Sequence, residues 1–129
     1  MFKLQHLDHV AITVRDLKVS ENWYRETLGL ERRNPEWNPP VMLCAGPSCV
    51  ALFPVESNSP AGPAGADTIS MRHFAFAVDR AGFESIQDEF RAKGIGFSFE
   101  DHGAVHSIYI KDPDGHRIEI TTHETELGG

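Results

Sequence analysis

Two segments of this chain, LDHVAITV at 7–14 and MRHFAFAV at 71–78, align without a gap, and each places a histidine third. Both alternate in period two. Val10, Ile12 and Val14 therefore share one face of a strand while His9, Ala11 and Thr13 share the other; Phe74, Phe76 and Val78 likewise lie opposite His73, Ala75 and Ala77. An apolar face backed by a small-residue face with one histidine describes a strand that lines a cleft. A carboxylate joins them from the end of the chain. Pairing Ile108 with Ile120 and Ile110 with Ile118 closes a loop over Asp112, Pro113, Asp114, Gly115 and His116. That register sets Tyr109 opposite Glu119 and Ser107 opposite Thr121, away from the isoleucines. Two imidazoles and one carboxylate, His9, His73 and Glu119, make a ligand set for one divalent ion with open positions; iron(II) suits it best, and manganese, nickel or zinc can occupy it. A lone strand histidine is more often a hydrogen-bonded structural residue, and the chain has 7 histidines. Recurrence at equivalent positions of a repeat singles out two of them. His6, His106, His116 and His123 read as surface or strand-end residues.

The elements that must position these residues also repeat. After the first strand an amphipathic helix starts at an Asp16 cap, carries Leu17, Trp23, Tyr24 and Leu28, and ends at Gly29. After the second, a helix starts near Asp79, buries Phe83, Ile86 and Phe90, and ends at Gly94. Strand-like runs follow at 30–37, 41–45 and 49–53, then at 95–100, 105–111 and 116–122. The expected class is α+β: a single domain over 1–129 made of two βαβββ modules, 4–54 and 71–123, joined by a Pro, Gly, Ala and Ser-rich linker at 55–70. Such a linker is compatible with the modules pairing within one chain or exchanging with a second one.

Composition excludes some functions. Charged residues make up 24 % of the chain and no apolar run approaches the roughly 20 residues of a membrane-spanning helix, so no membrane is expected as a partner. A formal net charge of −7 without a basic patch argues against nucleic acid. The start, MFKLQHLDHV, lacks the pattern of an export signal, so a cytoplasmic location is expected. Cys44 and Cys49 match no zinc knuckle and no disulfide framework; they are expected to be reduced, in a buried apolar role.

Taken together, DHVAITVRDL, WYRETLGLE, RHFAFAV and above all YIKDPDGHRIEI resemble the vicinal-oxygen-chelate superfamily, the glyoxalase, bleomycin-resistance and extradiol-dioxygenase group, over nearly the whole chain. The resemblance implies paired βαβββ modules forming a cup-shaped mixed sheet around a metal, with ligands that fall on His9, His73 and Glu119. The DPDG loop with its downstream Glu is shared by most branches, so it fixes family and not reaction. Glyoxalase-type members add a Glu on the last strand of the first module. Here that strand reads CVALF and offers no ligand. Ring-cleaving extradiol dioxygenases are more similar at the closing hairpin: their Tyr ten residues before the Glu falls on Tyr109, and their acid–base His falls on His102. Glu100 departs from that pattern, which has a small or aliphatic residue there. Without the resemblance, Tyr109 reads as a cleft-wall residue and His102 as a solvated loop histidine.

The function implied is a metal-dependent ring-cleaving dioxygenase acting on a small aromatic diol. The alternatives are a glyoxalase I-type isomerase, a fosfomycin-resistance-type thiol transferase and a metal-free bleomycin-resistance-type binder. For a phosphonate substrate the cleft offers only Arg117, with Lys111 and Arg72 as further candidates. A metal-free binder has no need of two cleft histidines and a carboxylate. Trp37, among prolines, is the better aromatic candidate for a pocket rim, since Trp23 and Tyr24 read as helix-to-sheet packing.

Two copies of a short module leave sheet edges and apolar surface that a second chain would cover, so a homodimer is expected. Light scattering at micromolar concentration checks it. A strictly monomeric species would mean that no second chain is needed.

Overall fold

Both helices begin at an aspartate and end at a glycine, because those residues satisfy the backbone groups that a helix end leaves unpaired. In α1, Leu17–Leu28, the Asp16 carboxylate accepts from the amides of Lys18 and Val19 at 3.0 and 3.1 Å. Gly29, at φ 69°, returns its N–H to Arg25 O. In α2, Arg80–Lys93, Asp79 accepts from the Gly82 amide at 2.7 Å and Gly94 turns the chain at φ 73°. Both helices thus keep the bounds expected from the sequence.

The computed structural model describes residues 1–55 and 71–123, and from residue 56 on the linker lies outside them. The chain divides into two compact units, Met1–Ile69 and Ser70–Gly129. The first carries β1 (His9–Val14), α1, β2 (Glu31–Arg33), β3 (Val41–Ala45) and β4 (Ser48–Pro54). The second carries β5 (Phe74–Ala77), α2, β6 (Ser98–Asp101), β7 (His106–Lys111) and β8 (Arg117–Thr122). Each forms a four-stranded mixed sheet, in order β1-β4-β3-β2 and β5-β8-β7-β6, whose first pair is parallel and whose other pairs are antiparallel. The class is α+β and the unit is βαβββ, twice.

Period two gives each sheet two unlike faces. In module one Ile12, Val14, Leu43, Val50 and Leu52 are buried on the face that packs against α1, and the other face carries His9, Ala51 and Met42. In module two Ile108, Ile110, Ile118 and Ile120 are buried on the helix side, while Tyr109, Glu119 and Ser107 take the other. Ile108 pairs with Ile120, Ile110 with Ile118 and Tyr109 with Glu119, as the apolar pattern required.

Three expectations are corrected. Cys44 and Cys49 are not free thiols but a disulfide with Cα atoms 4.0 Å apart. The two-residue hairpin Gly46–Pro47 sets them directly opposite across β3 and β4, while their buried setting is as expected. The run 30–37 yields only β2, because Asn34 enters the left-handed region at φ 52° ahead of Pro35 and a turn follows, with the Trp37 amide on Asn34 O. The run from 95 yields a strand only at Ser98, because the Ile95 amide is taken by Phe90 O in closing α2. Among the described residues no helix is long and apolar enough to cross a membrane.

Phe90 of α2 is fully buried, with its ring 6.1 Å from that of Phe97. Truncating a buried phenylalanine costs about 3–5 kcal/mol. Phe90→Ala is therefore expected to lower the urea midpoint sharply; an unchanged midpoint would remove Phe90 from the core.

Candidate metal and proton-transfer site

The chemistry-bearing side chains of module two converge because β7 and β8 are held in one register. The loop between them is a carboxylate-centred turn: buried Asp112 accepts from the amides of Asp114 and His116 at 2.9 and 2.8 Å, and its own amide donates to His116 O at 3.0 Å. Gly115 closes the turn at φ 90°, where any other residue would be strained. With the loop so fixed, Glu119 faces Tyr109 across the strands. His73, just before β5, places Nε2 2.9 Å from Glu119 Oε1. The other carboxylate oxygen accepts from Ser107 Oγ at 2.6 Å, and Ser107 Oγ lies 3.0 Å from Thr121 Oγ1.

Tyr109 sits at the centre of this face. Its ring meets that of His73 edge-on at 5.7 Å between centroids, and the Arg117 guanidinium lies 4.1 Å over the ring. Its hydroxyl is hydrogen-bonded to His102 Nε2 at 3.3 Å, and the same imidazole nitrogen is 3.4 Å from a Glu100 carboxylate oxygen. Burial pushes the Tyr109 phenol above its ordinary value; Glu119 and Glu100 add to the rise and Arg117 opposes it. Tyr109 therefore keeps its proton at neutral pH and can serve as a donor.

His9 belongs to module one, where its Nδ1 lies 2.8 Å from Asp8 Oδ2. Asp8 thereby fixes the imidazole and leaves Nε2 as the available donor atom, the arrangement in which a carboxylate orients a ligating histidine. The side chain borders a pocket of about 360 Å³ floored by Met42, Cys49 and Ala51 and rimmed by Trp37, Phe53 and Arg33. Trp37 lines this pocket and stays 45% exposed. Arg33 is held to the hairpin, with Nη2 donating to Gly46 O at 3.1 Å.

Of the residues picked out by sequence, His73, Glu119, Tyr109 and His102 come together in module two, and His9 lies in module one. His73 and Glu119 fit a divalent ion: donors about 2.1 Å from one ion on neighbouring positions would be about 3 Å apart, and the pair is separated by 2.9 Å. The buried Nδ1 of His73 has no hydrogen-bond partner among the described residues, so the carboxylate is the polar group that engages this ring. Within module two, among the described residues, no third His, Cys, Asp or Glu side chain joins the pair as a metal cluster. One supporting residue, Asp8, is signalled in the sequence only by its place beside His9, while Ser107 falls on the cleft face as its register opposite Thr121 requires, and the structure adds its bond to Glu119.

The repeat also assigns module one's counterpart of Glu119. Val50 lies across from Val10 as Ile118 lies across from Phe74, so Ala51 matches Glu119. The added Glu of the glyoxalase-type pattern has no equivalent at this position.

Comparison with known proteins agrees with this architecture. The model of the Glyoxalase/Bleomycin resistance protein/Dioxygenase superfamily matches residues 6–120. The chain is 31% identical over 117 residues to a Glutathione transferase FosA of Serratia marcescens, covering 91% of this chain and 80% of that protein. Its fold is similar to that of a lactoylglutathione lyase from Agrobacterium tumefaciens, with a TM-score of 0.75 at 24% identity over 98% of both chains. It is also similar to that of a glyoxalase/dioxygenase from Nostoc punctiforme, with a TM-score of 0.69 at 22% identity over 92% of this chain and 90% of that one. With a family match that spans both βαβββ modules and the Glu119 strand, the chain belongs to the Glyoxalase/Bleomycin resistance protein/Dioxygenase superfamily.

Proposed function

We propose that this protein is a divalent-metal-dependent enzyme whose ion is held by His9, His73 and Glu119, and that it opens the ring of a small aromatic diol with dioxygen. The observation that carries the reading is the hydrogen bond of His102 to Tyr109 beside the His73–Glu119 pair. His9, His73 and Glu119 would hold the ion, iron(II) by preference with manganese, nickel or zinc compatible, and it would supply activation of the diol and of dioxygen.

The chain's own residues supply the rest. A proton leaving the diol would pass through the Tyr109 hydroxyl to His102 Nε2, to which that hydroxyl is hydrogen-bonded at 3.3 Å, and return to the product by the same path, and Glu100 at 3.4 Å steadies the imidazole while it is charged. Tyr109 donates a hydrogen bond to the substrate oxygen on which negative charge grows. Ser107 holds Glu119 by its outer oxygen, leaving Oε1 directed at His73. The pocket at His9 has an apolar floor of Met42 and Ala51.

A second reading is supported by the relative that is 31% identical and named a glutathione transferase: thiol transfer to a small electrophile on the same ligands. The lack of a carboxylate at Ala51 weighs against the isomerase among the alternatives.

Elemental analysis is expected to find about one divalent ion per chain after reconstitution, and little in Glu119→Ala or His73→Ala. Ser107→Ala should weaken metal affinity by roughly 10–100-fold, the usual effect of losing a partner that orients a ligand. Equal metal in wild type and Glu119→Ala would remove the ligand assignment. With iron(II) added anaerobically, an oxygen electrode should then record uptake with catechols. Tyr109→Phe should slow it about tenfold to a hundredfold, the worth of a hydrogen bond to a charged oxygen at about 1.5–3 kcal/mol. Glutathione consumed with an epoxide, or with methylglyoxal, and no oxygen uptake with any metal would overturn the dioxygenase reading.

A further inference from the structure

An open groove of about 660 Å³ runs along one end of the module-two sheet, lined among others by Gly96, Ser98, Tyr109, Lys111 and Arg117. That size suits a small-molecule site, which commonly spans roughly 300–1,000 Å³. Lys111 and Arg117 face each other directly across β7 and β8. Like charges in that relation destabilise a sheet, and among the described residues neither side chain makes an ion pair with a carboxylate.

Arg117 is also held in place. Its guanidinium lies 4.1 Å over the buried Tyr109 ring, while the side chain lines the groove. A guanidinium fixed in this way loses little freedom on binding a planar or tetrahedral oxyanion through two N–H groups. Ser98, opposite Tyr109, adds a hydroxyl, and Gly96 leaves room: a Cβ built there meets nothing within 4 Å.

We propose that this groove is an oxyanion subsite, with Arg117 and Lys111 binding a carboxylate or phosphonate arm of the substrate. Arg117 lies two residues before Glu119 on the same strand face, about 6.6–6.8 Å along the strand. An arm held at Arg117 therefore sits about one substituted benzene ring from the Glu119 carboxylate. This spacing rests on the diol reading above and narrows it to an aromatic diol bearing an acidic arm, while the anion site itself stands without the diol.

The test uses the full-length, metal-free chain and probes that carry no diol, so it is independent of the oxygen-uptake result. Amide spectra are recorded during titration with benzoate, phenylphosphonate and the neutral benzamide. Saturable shifts at Gly96, Ser98 and Lys111 are expected with at least one of the anions and not with benzamide. Lys111→Gln, which leaves the Arg117–Tyr109 stack in place, should weaken that anion about tenfold, the usual loss for one charge-assisted contact. Gly96→Asp, which sets a carboxylate into open space, should abolish binding while the spectrum stays that of a folded chain. Absence of saturable shifts with both anions, equal shifts with benzamide, or affinities unchanged in both variants would overturn the subsite.

Discussion

The module-two site depends on the Asp112 carboxylate. By accepting two backbone N–H groups it fixes the turn between β7 and β8, and the turn sets their register. A slip of β8 by one residue would move Glu119 and Arg117 to the helix side and bring the buried Ile118 and Ile120 out. The hydrophobic layer and the polar constellation are consequently one decision: whatever holds the isoleucines against α2 also holds the carboxylate against His73.

The two modules use the same frame unequally. On module one the face carrying His9 is mostly apolar, with Met42, Ala51 and the Cys44–Cys49 disulfide forming a buried cluster. On module two the matching face is polar, with Glu119, Ser107, Tyr109 and Arg117 on adjacent strands. The frame tolerates this divergence because α1 and α2 anchor the opposite faces. Side chains on the histidine faces can then change with little effect on the packing that keeps each sheet folded.

Much of this was legible in the sequence where local signals agree. Asp16 and Gly29, then Asp79 and Gly94, bound the helices because each satisfies orphaned backbone groups. The isoleucines and the DPDG turn gave the Tyr109–Glu119 pairing, since only one register buries all four. The misses arose where one group serves two elements. The Ile95 amide belongs to the helix end and so cannot start a strand, and Asn34 turns where alternation suggested extension. The cysteine pair was misread because a spacing of five says nothing until the Gly46–Pro47 turn places both residues face to face. His102 reaches Tyr109 from outside a strand, which no periodicity reports.

Ala51, at the place that Glu119 occupies in the second copy, is only 1% exposed. A carboxylate at such a position would rise from the floor of the His9 pocket, partly shielded from water, where a charge without a partner is costly. Selection could keep a glutamate there only if a cation arrived with it. The repeat thus confines innovation to an ordered path: a change in ligand number in this half must follow metal occupancy rather than precede it. A chain that had lost its ion would be expected to drift toward small, uncharged residues at this position.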